Sequence, residues 1–144
     1  MRWQALLFVP MLLLLVTGSG IAEPTFTALH ATRTIMPQFH LDPFDVTVQD
    51  SQAIQRLYDA ALALPAVEPG ATYFCPLSIG LVYHLDFLVH GFLVQQMNLE
   101  ATGCRFLHIG QDDTRIADQA FLDKVAQLVG LPTLVPHFPG QLAP

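Results

Sequence analysis

The chain is expected to fold as a single α+β domain: an antiparallel sheet with helices packed on one face, in the order strand, helix, three-stranded meander, helix. Three observations predict it. Residues 44 to 48 and 79 to 101 alternate apolar and polar side chains, the period-two pattern of half-buried strands. Residues 51 to 64 and 118 to 129 instead repeat apolar side chains at helical spacing. The only two cysteines, Cys75 and Cys104, stand at either end of what reads as one hairpin, so they are expected to form one disulfide.

Residues 1 to 22 are expected to be a signal peptide. Met1-Arg2-Trp3-Gln4 is a short cationic start, residues 5 to 16 are apolar, and small residues lead to a cut after Ala22. A retained anchor is the alternative, but the apolar run of 12 residues contains Pro10 and falls short of the roughly 20 that span a bilayer. After cleavage no membrane span is expected, and the mature chain from Glu23 is secreted or extracytoplasmic. Such a compartment permits the disulfide, and an even cysteine count leaves no free thiol.

Loss of Arg2 leaves five basic and twelve acidic side chains, a net charge of −7 on 122 of the 144 residues. That sign argues against a nucleic-acid partner, because counterion release needs a basic face. The length suits one core.

Residues 23 to 42 lack sustained periodicity and carry Pro24 and Pro37, so an extended N-terminal arm is expected. The domain itself is expected over residues 43 to 131. Phe44, Val46 and Val48 alternate with Asp45, Thr47 and Gln49 as a first strand. Asp50-Ser51 supplies a helix cap, and Pro65 stops the helix at Leu64. Its apolar stripe is Ile54, Leu57, Tyr58, Ala61 and Leu62.

The meander follows. From Ile79 the odd positions Leu81, Tyr83, Leu85 and Phe87 form a core face, and Leu93, Met97, Leu99 and Ala101 do so on the return strand. Cross-strand partners must therefore have numbers summing to an even total. A three-residue loop over residues 89 to 91 meets that condition, pairing Leu88 with Phe92 and Tyr83 with Met97. A two-residue Thr102-Gly103 turn would then set Leu99 against Phe106, with Cys104 and Phe106 on the core face and His108 near it. Residues 110 to 114 read as a polar loop, and the last helix starts near Asp118 and ends at Gly130. A proline-rich tail is expected over residues 132 to 144.

No catalytic set stands out. His84 and Asp86 project from one strand face two residues apart and are weak metal-ligand candidates, with a metal-assisted enzyme as the corresponding reading. No third ligand is identifiable by spacing, so no cofactor is expected. Asp112-Asp113 lacks the alternating oxygens of a calcium loop. Ser51 and Ser78, the serines beyond the signal segment, lack the glycine-flanked turn of a hydrolase nucleophile. A non-enzymatic binding or structural domain is therefore expected.

Phe74-Cys75-Pro76-Leu77-Ser78, preceded by an alanine-leucine helix, followed by a hairpin and closed by Cys104, resembles the reactive-site half of the secreted subtilisin inhibitor family. The resemblance covers about 55 residues and implies a rigid, substrate-like loop. Leu77 would enter the protease specificity pocket, Ser78 would follow the resistant bond, and Cys75 and Pro76 would stiffen the approach. A secreted serine protease is the partner this implies; on the reading as a non-enzymatic binding or structural domain, the partner would be a cell-envelope component. A simpler reading of the same residues is that Cys75-Pro76 starts a strand and pins it, with Leu77 on the core face. The whole mature chain also resembles small secreted bacterial proteins of unknown function, which imply the domain limits and the disulfide but no mechanism.

Overall fold

The computed structural model describes residues 25–136, so the expected signal peptide and residues 137–144 of the expected tail lie outside the described residues. These form β1 (Ala28–Thr34), β2 (Asp45–Val48), α1 (Ser51–Leu62), β3 (Val82–Val89), β4 (Phe92–Glu100), β5 (Phe106–Ile109), β6 (Asp113–Ile116) and α2 (Gln119–Leu128). The strands make one six-stranded antiparallel sheet in the order β2-β1-β3-β4-β5-β6. The α+β class and the Cys75–Cys104 disulfide are as expected, but the sheet has two more strands than the expected four.

The inward face carries Leu29, Tyr83, Leu85, Phe87, Met97 and Leu99, all buried. They share one core with Ile54 and Leu57 of α1 and Phe121, Leu122 and Val125 of α2. Both helices start as expected on aspartate caps: Asp50 accepts from the Ala53 amide at 3.0 Å, and Asp118 from the Phe121 amide at 2.8 Å. α1 ends at Leu62 rather than Leu64, which leaves Leu62 exposed and buries Leu64. Tyr58 brings its ring against Phe26 and Phe87, with centroids at 4.8 and 5.4 Å.

Two expectations are corrected by strands that carry little apolar signal. Residues 28–34, expected in an arm, form β1, which pairs with β2 on one side and β3 on the other. The folded domain therefore begins before residue 43. Only Leu29 and Ala31 of β1 are buried, and the next inward position holds Arg33, so backbone pairing on both edges makes this strand rather than side-chain pattern. The Arg33 guanidinium donates to the Asp42 carbonyl at 2.8 Å and lies 5.3 Å from the Phe44 ring centre.

Residues 113–116, which include the end of the expected polar loop, form β6. Here Arg115 fills an inward position. Its Nη2 donates to Asp113 at 2.8 Å, and its Nη1 donates to the Leu62 and Leu64 carbonyls at 3.0 Å, closing the end of α1. The guanidinium hydrogen bond holds the Asp113 carboxyl below its ordinary pKa.

The β3–β4 register keeps the expected parity by a different route. Tyr83 faces Leu99 and Leu85 faces Met97, so both core faces coincide. The loop is nevertheless a two-residue His90-Gly91 turn, with both residues at positive φ (50° and 83°), the mirror-image turn that suits strand twist. Leu88 then pairs with Leu93 and Phe87 with Gln95, so a bulge at Val94 absorbs the residue that the expected three-residue loop would have held.

The β4–β5 connection also differs. Leu99 pairs with Leu107, not Phe106, so Phe106 and His108 face away from the core while Leu107 and Ile109 enter it. The connection is longer than a two-residue turn and includes Arg105 at φ 57°. That extra length reverses the expected faces.

The start of the expected tail is part of the domain. Leu134 is buried, and its carbonyl accepts from the Tyr83 hydroxyl at 2.8 Å. Burial pushes the Tyr83 pKa up, with Arg33 opposing. The folded state thus favours the neutral phenol: its contribution is complete below the ordinary pKa of about 10 and is lost as pH rises through the raised folded value. Tyr83→Phe is expected to cost about 1 to 2 kcal/mol at neutral pH, by leaving the Leu134 carbonyl unpaired, and to flatten the fall in stability above pH ~10. Urea titrations at pH 7 and above 10 measure both.

Candidate binding loop

Residues 63–81 connect α1 to β3 and fall into two parts. The first seals a sheet edge: the Val67 amide donates to the Thr114 carbonyl at 2.8 Å, and the Ile116 amide to the Pro65 carbonyl at 2.9 Å. After Gly70 the chain leaves the sheet, and residues 71–78 are all exposed without regular structure. Pro76 lacks an amide proton and has its φ preset, which suits an extended, unpaired segment.

This exposed segment is nonetheless tied down. Cys75 is covalently bonded to Cys104, in the β4–β5 connection. The Tyr73 ring meets Phe106 edge-on at 5.5 Å. Thr102 Oγ1 accepts from the Ile79 amide at 3.3 Å and lies 3.4 Å from Ser78 Oγ, which accepts from the Gly80 amide at 3.1 Å. The Met36 amide donates to the Ile79 carbonyl at 3.3 Å. Gly103 lies directly beneath, where a β-carbon would come within 3.0 Å of the Ser78 side chain. A side chain at 103 would therefore lift the loop, and its φ of 76° also favours glycine.

Between these anchors two apolar side chains point outward. Phe74 is 97% exposed and Leu77 is 89% exposed. The reading in which Leu77 joins the strand's core face is thus overturned. β3 begins only at Val82, although Ile79 and Leu81 are already buried. The structure brings together Cys75, Pro76, Leu77 and Ser78 on one surface and adds contributions that sequence reasoning missed. By sequence, Phe74 reads only as part of a motif and Thr102 only as a turn residue. An apolar side chain immediately before a disulfide cysteine, on a segment with no strand alternation, was the available signal.

His84 and Asp86 lie elsewhere, on the sheet face opposite the helices. His84 Nδ1 is 2.7 Å from Asn98 Oδ1 and Nε2 is 3.0 Å from Thr34 Oγ1, so both ring nitrogens have partners. Asp86 accepts from Gln96 at 2.8 Å. His108 sits on the same face, between Glu100 at 3.0 Å and Thr114 at 3.2 Å. Among the described residues no three histidine, cysteine, aspartate or glutamate side chains converge as a metal site. These contacts make a polar sheet surface with its hydrogen bonds satisfied from neighbouring strands.

Among the described residues no helix is long and apolar enough to cross a membrane. No family model, curated protein or solved structure matches the chain.

Proposed function

We propose that this chain is an exported, non-enzymatic binding domain whose contact element is the loop over residues 73–78. One observation carries the reading: two large apolar side chains, Phe74 and Leu77, are presented to solvent on a backbone fixed by the Cys75–Cys104 disulfide and the Thr102 hydroxyl. Exposed apolar groups on a pre-ordered segment favour association, because little conformational entropy remains to be lost on binding. The N-terminal segment and the disulfide support an extracytoplasmic setting. Turnover of peptide, glycan or ester substrates by purified protein, abolished by one point change, would overturn the non-enzymatic reading.

The exposure of Leu77 favours a more specific form of this function, inhibition of a serine protease. In this reading Leu77 fills an apolar specificity pocket and the peptide bond to Ser78 lies along the catalytic site. The cysteine on one side and the Ser78–Thr102 contact on the other hold both ends of that bond in place. Titration of the oxidised protein against subtilisin and chymotrypsin is the direct test. An equimolar end point is expected, and uninhibited proteolysis in the presence of folded protein counts against it. Thr102→Val is expected to weaken inhibition about tenfold, through loss of the Ile79 hydrogen bond, and to permit slow cleavage after Leu77 that mass spectrometry would detect.

A further inference from the structure

The end of the sheet opposite this loop carries a second apolar feature. β3 spans roughly 25 Å from the disulfide end to the β3–β4 turn. At that turn Phe92 is 77% exposed, Leu93 56% and Val94 48%. No Asp, Glu, Lys or Arg occurs from Phe87 to Gln95. The register places Leu93 beside Leu88 on one face of the ribbon and Phe92 beside Val89 on the other. The tip is therefore convex and apolar on both sides, a shape that a single flat partner face cannot cover.

The chain enters the fold at this same end. The Thr27 amide donates to the Leu88 carbonyl at 2.8 Å, and Thr27 Oγ1 accepts from the His90 amide at 2.8 Å. Thr25 stands nine residues beyond Val16, the end of the apolar run, a link of at most roughly 32 Å. While that run occupies a bilayer, as a signal segment or as an anchor, this end of the sheet is the one nearest the tether and within reach of the membrane surface.

We infer that the β3–β4 turn is a lipid-contacting element: Phe92, Leu93 and Val94 enter the interface of a zwitterionic bilayer beside the point where the N-terminal segment joins the domain. A lipid interface surrounds a convex tip on all sides, as apolar side chains on both faces require. The acidic chain and the absence of lysine or arginine at the tip select neutral rather than anionic headgroups. This orientation points residues 73–78 away from the membrane.

The test uses the full chain in phosphatidylcholine vesicles containing lipids brominated near the headgroup. Trp3→Phe removes the native tryptophan, and a reporter is introduced as Phe92→Trp or, separately, as Phe74→Trp; both replace exposed aromatic rings. The emission of Phe92→Trp is expected to shift to the blue and fall at least about twofold, as for an interfacially buried ring, while that of Phe74→Trp stays unchanged. Absence of quenching at position 92, or equal quenching at both positions, overturns the inference. A blue shift at position 92 that needs no vesicles and grows with protein concentration would assign the tip to a second copy of the chain, and would overturn it equally.

Discussion

Leu77→Asp is expected to abolish stoichiometric inhibition of subtilisin and chymotrypsin, raising the dissociation constant by about a thousandfold or more. The effect is large because an apolar pocket would have to accept a carboxylate stripped of water, a penalty of several kcal/mol, where about 4 kcal/mol already makes a thousandfold. The fold should not register the change. Leu77 is 89% exposed, so the variant should unfold at the same denaturant concentration as the parent. Leu77→Phe provides the positive counterpart, retaining inhibition with a preference for chymotrypsin. Undiminished inhibition by the aspartate variant would remove Leu77 from the contact and leave the function to another surface.

The second large effect is expected from Cys75→Ser combined with Cys104→Ser. In the chain-entropy account, a bridge between residues separated by 29 positions stabilises by roughly 3 to 4 kcal/mol. For a domain of this size that loss lowers the midpoint of thermal unfolding by about 15 °C or more. Binding should suffer beyond the loss of stability, since residues 71–78 pair with no strand and would depend on the Tyr73 ring contact and the Ser78 and Ile79 hydrogen bonds for their position. Calorimetry on the oxidised parent and the double variant gives the first quantity, and inhibition measured well below both unfolding midpoints gives the second. Equal midpoints would show that the covalent link adds nothing to a loop already fixed by its neighbours.

The parts of this fold that were legible in the sequence are those where side-chain period and burial agree. α1, α2, β3 and β4 each place apolar residues at the spacing their geometry demands, and each was located to within a few residues. β1 and β6 escaped because each spends an inward position on an arginine, Arg33 and Arg115, accommodated by a carbonyl, a ring face and an ion pair rather than by hydrophobic burial. A period-two search for apolar residues cannot find such strands. Register failed for a related reason. A bulge at Val94 and a left-handed Arg105 each shift the pairing register locally, and neither carries a signature in residue type. At the candidate loop the cysteine pairing was readable, but the exposure of Leu77 was not, because the alternation of β3 extends back toward it; the support from Thr102 and Gly103 arises only when the β4–β5 connection is folded beneath the loop.

The placement of β1 between β2 and β3 bears on the order in which the sheet assembles. A chain threaded outward from its N-terminus offers β1 early, and β2 is available soon afterwards as a hairpin partner. The other edge of β1 waits for β3, because every β1–β3 pair joins residues 48 to 60 positions apart. The β3 to β6 strands, by contrast, close through short local connections. Loop-closure entropy favours forming that meander first, with β1 and β2 docking as a late step that completes the core. Until then β3 presents an open edge, and the interval before docking is when the chain is most exposed to strand-to-strand association with its neighbours.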